Sequence, residues 1–148
     1  MKHFLVILLA YLLAILQLGM RAYFPDLLLL LVVTVSVFEE RNFAIVIGFL
    51  AGLFLDLGNP GLLGTNMLIY LVIGYGVILA RRVVYEKVSY AVALCAGALV
   101  VKYALRYVLT GSLPAVWELL VACGLTLLLL WPVHSLIKVL FGYRWKVA

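Results

Sequence analysis

Gly48-Phe-Leu-Ala-Gly52-Leu-Phe-Leu-Asp56-Leu-Gly58-Asn-Pro60-Gly-Leu-Leu-Gly64 is an apolar stretch that carries a single carboxylate. An ionised group at the end of a membrane helix is costly, so Asp56 marks a site and needs a partner. Gly48 and Gly52 stand in Gly-x-x-x-Gly spacing, which lets another helix approach that face closely. The residue types of Gly58-Asn-Pro-Gly61 make a turn. The stretch therefore reads as a membrane helix, a tight turn and the start of a second helix. A second marker lies upstream, where Pro25-Asp26 opens the unbroken apolar run Leu27-Leu-Leu-Leu-Leu-Val-Val33.

Composition extends this reading to the whole chain. Of its 148 residues 68% are hydrophobic and 11% charged, with a mean hydropathy of +1.28. A soluble domain is about half apolar and about a quarter charged, so the class is an all-α polytopic membrane protein, expected as one domain over residues 1–148. The net charge of +5 does not indicate nucleic-acid binding, because the basic residues cluster at helix ends, where they report topology. Cys95 and Cys123 lie in apolar runs without metal-like or C-x-x-C spacing and read as small packing residues. Met1-Lys-His followed by an apolar run resembles a signal peptide, but Gln17-Leu-Gly-Met-Arg21 lacks a cleavage pattern. An uncleaved first helix is expected.

Six membrane segments follow from hydropathy and breakers: about Phe4–Leu18, Asp26–Phe38, Phe43–Leu57, Thr65–Ala80, Val88–Leu109 and Val116–Leu140, the last kinked at Pro132. A full span needs about 20 residues. The second and third segments are short, so they must thin the bilayer, borrow flanking residues or be shielded by neighbours. A re-entrant hairpin made from them would leave four spans and bury Glu39-Glu-Arg41 in lipid. With both termini inside, Lys2, Arg41, Arg81, Arg82, Lys87, Lys138, Arg144 and Lys146 fall on the cytoplasmic side, against Arg21, Lys102 and Arg106 opposite. That asymmetry supports an N-in/C-in orientation. Tyr23, Tyr107 and Trp117 mark the outer interface, and Tyr85, Tyr90, Tyr143 and Trp145 the inner one.

In this topology Asp26, Asp56, Lys102, Arg106 and Glu118 share the outer side and form a candidate ion-pair network. Lys102 and Arg106 are four apart and share a helical face. Asp26 and Glu118 sit at helix N-termini, which the macrodipole favours; Asp56 sits at a C-terminus, which it disfavours. Asp56 is therefore expected to take Lys102 or Arg106 as its partner. The network holds helices in register, docks a partner, or moves a proton or ion. Three small-x-x-x-small faces, Ala10/Ala14, Gly48/Gly52 and Ala93/Gly97, are expected to pack helices within the chain or against another membrane protein. His134 reads as an interfacial, solvated residue. No catalytic constellation, metal-ligand set or phosphate loop is present in the sequence, and no cofactor is expected.

Pro25-Asp26-Leu-Leu-Leu-Leu, followed by Gly48-Phe-Leu-Ala-Gly52-Leu-Phe-Leu-Asp56, the Gly/Pro turn and Leu62-Leu-Gly64, resembles the MreD family of bacterial rod-shape determination. The resemblance is specific over about residues 24–75 and rests elsewhere on length, helical make-up and a basic tail. It implies a non-enzymatic scaffold of the lateral cell-wall elongation machinery. The partners it implies are MreC and, through MreC, a class B penicillin-binding protein and the glycosyltransferase RodA, with MreB on the cytoplasmic side and lipid around it. Pro25, Asp26, Gly48, Gly52 and Asp56 are the positions that match its motif. In architecture the family also resembles the substrate-binding subunits of energy-coupling-factor vitamin transporters. Ala10-x-x-x-Ala14 is similar to the alanine motif with which those subunits dock their membrane partner, which makes a transport subunit the alternative. The short Gly19–Phe24 connection, too short for a substrate lid, argues against it.

Overall fold

The computed structural model describes residues 2–19, 25–81, 88–112 and 114–141. Within them the chain is all-helical: α1 (Lys2–Gly19), α2 (Leu27–Phe38), α3 (Arg41–Gly58), α4 (Thr65–Ala80), α5 (Val88–Thr110) and α6 (Val116–Phe141). A single 3-10 turn, Pro60–Leu62, joins α3 to α4. Three helices are long and apolar enough to cross a membrane, over Arg41–Gly58, Tyr90–Thr110 and Val116–Leu136. His3–Gly19, Leu27–Phe38 and Thr65–Ala80 are shorter apolar helices.

The centre of the bundle is the shortest of the six helices. Every residue from Leu28 to Ser36 in α2 is buried, and α2 touches all five other helices. A helix that is apolar all round belongs inside a protein or inside a membrane, and α2 is sheathed by protein. For α2, of the three ways to accommodate a short apolar segment, shielding by neighbours is the one used. Of its two buried hydroxyls, that of Thr34 donates to the Leu30 carbonyl at 2.7 Å, whereas that of Ser36 has no hydrogen-bond partner among the described residues.

α3 and α4 form the closest helix pair, and glycine makes it possible. A Cβ placed on Gly48 would lie 2.9 Å from the Tyr70 carbonyl oxygen, and one on Gly52 would lie 2.6 Å from both the Asn66 oxygen and the Met67 nitrogen. Both neighbours are backbone and cannot swing aside. The hairpin is closed by Gly64, which caps α4 with a φ of +88°, a conformation that penalises any side chain. α6 continues through Pro132 without a break.

Outward faces are lined by large apolar side chains. Phe4, Leu12, Val108, Leu128, Trp131 and Val139 are each more than half exposed. A surface of this kind is expected where the solvent is lipid rather than water. Arg21, Tyr23, Arg82, Tyr85, Lys87, Tyr143, Arg144, Trp145 and Lys146, on which much of the orientation argument rests, lie outside the described residues.

Candidate functional site

Asp26 caps α2, and the polar centre of the bundle is built around it. Its Oδ1 accepts from the Leu29 amide at 3.1 Å, the ordinary N-cap bond. The same oxygen accepts from Gln17 Nε2 of α1 at 3.0 Å and from the Tyr70 hydroxyl of α4 at 2.8 Å. Oδ2 is ion-paired with the Lys102 ammonium of α5. The Asp26 amide donates to Thr126 Oγ1 of α6 at 3.0 Å, and that hydroxyl donates to the Ala122 carbonyl at 2.6 Å. One residue thus ties α2 to four other helices. Asp26, Lys102 and Tyr70 are 4%, 7% and 0% exposed, so the knot is closed to the surface. Lys102 Nζ also lies 5.5 Å from the Tyr70 ring centre and 5.9 Å from that of Tyr103, over both π faces. Pro25 is buried beside the cap, and its carbonyl accepts from the Leu27 amide at 2.9 Å.

Asp56 is met by backbone instead of a cation. Its carboxylate accepts from the amides of Gly64 at 3.0 Å, Asn66 at 3.1 Å and Met67 at 3.0 Å. The expected partner, Lys102 or Arg106, is replaced by the N-terminus of α4. The physical reason is geometric: the turn after α3 brings the free amides and positive dipole end of α4 against the carboxylate, and these satisfy it fully. Lys102 goes to Asp26. Arg106 and Glu118 are half-buried on α5 and in the first turn of α6. Among the described residues the ion pair is Lys102–Asp26, and neither Arg106 nor Glu118 enters it.

The far end of α2 is held from α4. One Arg81 nitrogen, Nη1, donates to the Ser36 and Glu39 carbonyls at 2.9 and 2.5 Å. These carbonyls belong to the unsatisfied C-terminal turn of α2, where a cation is favoured. His134 is 6% exposed, its ring 5.0 Å from that of Phe38; the expectation of a solvated histidine is corrected, because α6 passes directly beside the end of α2.

The three small-residue faces have separate fates. Ala10 and Ala14 are 0% and 1% exposed and belong to the core, so this face of α1 is not available to a partner. Gly48 and Gly52 are consumed by α4. Ala93 and Gly97 are exposed, and a Cβ on Gly97 or on Gly76 of α4 would meet nothing within 4 Å. They border an apolar groove of about 300 Å³ between α4 and α5, with Ala80, Ile73 and Val101 among its walls.

Gln17, Tyr70 and Thr126 are not among the site residues expected from the sequence, and Arg81 is expected there only as a cytoplasmic-side charge. Their signal was available: each is an isolated polar group on or at the end of an apolar helix, and such groups turn inward. Among the described residues, no cluster of three or more His, Cys, Asp or Glu is placed to hold a metal. The arrangement fixes helices relative to one another.

The family model of the rod shape-determining protein MreD matches residues 1–140. No curated protein and no solved structure matches the chain.

Proposed function

Since the chain belongs to the MreD family of rod shape-determining membrane proteins, we propose that it is a non-catalytic scaffold of the cell-wall elongation machinery. In this reading it crosses the bacterial cytoplasmic membrane six times with both termini inside. It binds the single membrane span of MreC and, through MreC, the class B penicillin-binding protein and RodA, with MreB on the cytoplasmic side. The observation that carries the proposal is the match over residues 1–140. The interior supports it, since the buried polar groups of the knot are engaged in holding α2 and none faces an opening.

The face best suited to a partner helix is the α4/α5 groove. Association in lipid depends on close van der Waals packing, because tails are as apolar as leucine. Of the three small-residue faces only this one still has room for a helix backbone. A tagged pull-down from native membranes in mild detergent tests the reading. Recovery of MreC with the elongation synthases is expected, and Gly97→Ile is expected to reduce that recovery while the protein stays folded. Recovery of a coupling-factor ATPase in place of MreC would establish the transporter alternative instead.

A further inference from the structure

Cross-contacts define two polar rims on the bundle. At one end the His3 ring lies 4.1 Å from that of Phe43, the Arg41 guanidinium lies 5.6 Å from the Tyr75 ring centre, Arg81 reaches the Glu39 carbonyl and His134 lies against Phe38. These contacts set α1, α3, α4, α2 and α6 at one level. At the other end the polar groups are Gln17, bonded to Asp26, and Asp56, bonded to Asn66, with Glu118 opening α6.

The distance between the rims is the height of the apolar girdle. At 1.5 Å per residue, His3 to Gln17 on α1 is about 21 Å, Arg41 to Asp56 on α3 about 22 Å and Asn66 to Arg81 on α4 about 22 Å. α5 and α6 are longer, with apolar spans over Tyr90–Thr110 and Val116–Leu136 of about 30 Å each when upright. The exposed indoles of Trp117 and Trp131, 69% and 74% accessible, are about 21 Å apart along α6, and indoles favour the two membrane–water interfaces. α1, α3, α4 and the aromatic markers agree on a height several ångströms below the usual hydrocarbon thickness of about 30 Å. Any helix tilt lowers it further.

We infer that the lipid-facing side formed by α1, α3 and α4 fits a thin bilayer: the protein gathers phospholipids with short acyl chains along that side and thins the membrane there where they run out. Mismatch of this kind has a cost per ångström that sorts proteins among membranes of different thickness. The machinery assembled on this chain would then work in a locally thinned patch. The inference rests on the spanning of α1 to α4 proposed above.

The test uses the full chain in phosphatidylcholine vesicles with acyl chains from about 14 to about 22 carbons, in competition with a brominated lipid that quenches tryptophan. Relative binding is expected to peak at the short end, about threefold above the value at about 20 carbons. A flat profile, or a maximum at about 18 carbons or more, would overturn the inference. Sidedness is measured separately by labelling Gly19→Cys, Glu40→Cys and Gly61→Cys with an impermeant maleimide, after Cys95 and Cys123 are changed to alanine. Glu40→Cys on the side opposite the other two supports the spanning, so a flat lipid profile then refutes thinning alone. All three on one side refutes the spanning itself, and the inference with it.

Discussion

Lys102→Met is the most informative single change, because it separates charge from packing at the Asp26 knot. The methionine keeps the length and most of the apolar stem of lysine while removing the ammonium from Asp26 Oδ2. Asp26 keeps its bonds from Leu29, Gln17 and Tyr70, all on Oδ1, so Oδ2 is the atom left uncompensated. A hydrogen bond lost inside a membrane protein averages about 0.6 kcal/mol. Breaking a buried ion pair by removing one partner costs about 3–5 kcal/mol. The three surviving donors place the expected loss near the lower end, about 3 kcal/mol, or a factor of more than about 100 in the folded-to-unfolded ratio. The assay is reversible unfolding in mixed micelles, followed by circular dichroism, on wild type, Lys102→Met, Asp26→Asn and the double variant. The double variant carries no charge and is expected to recover most of the loss, standing about 2 kcal/mol above Lys102→Met. A Lys102→Met protein as stable as wild type would refute the assignment of charge to the knot. A double variant as weak as the single would show that the lysine acts through packing alone.

Three further outcomes follow from the same geometry. Asp56→Ala removes the acceptor of three α4 amides and is expected to lose about 1–2 kcal/mol together with partner capture in the pull-down, whereas Asp56→Glu, which still reaches the amides, keeps most of both. Gly52→Ala puts a methyl against the Asn66 and Met67 backbone and is expected to destabilise by more than about 2 kcal/mol in the same unfolding assay, the reverse of what helix propensity alone predicts. Arg81→Met leaves the last carbonyls of α2 without their cation and is expected to cost about 1 kcal/mol; increased hydrogen exchange confined to the amides around Phe38 would locate the effect.

Much of this was legible in the sequence, for reasons that differ by element. Helices are encoded by apolar runs and their breakers, so the described ends of the segments fall within a few residues of Gly19, Leu27, Gly58, Thr65, Ala80 and Val116. The close approach at Gly48 and Gly52 was encoded too, because only glycine permits it. The partner of Asp56 was not. Charge counting looks for a cation, whereas the carboxylate is satisfied by amides that every helix start supplies, and no residue type advertises them. Nor did Ala10/Ala14, Gly48/Gly52 and Ala93/Gly97 reveal their different fates. Spacing shows that a face can pack closely, but which neighbour takes it depends on the whole arrangement.

The central position of α2 explains why both its ends are bound by charged groups of other helices. A twelve-residue helix rises about 18 Å, too little to place both termini in water across a bilayer. Its free amides and carbonyls would then lie in hydrocarbon, where each unsatisfied group costs several kcal/mol. Asp26 covers the amino end and is itself neutralised by Lys102; Arg81 covers the carbonyl end. An apolar sheath alone would let α2 slide or rotate, because leucines along its whole circumference pack almost equally well in neighbouring registers. Asp26 and its four bonded helices forbid that sliding, since a shift of one residue breaks the cap, the ion pair and the Thr126 bond together. The knot is thus best understood as the element that gives an otherwise interchangeable apolar core a single register, and the exposed α4/α5 face inherits its shape from that register.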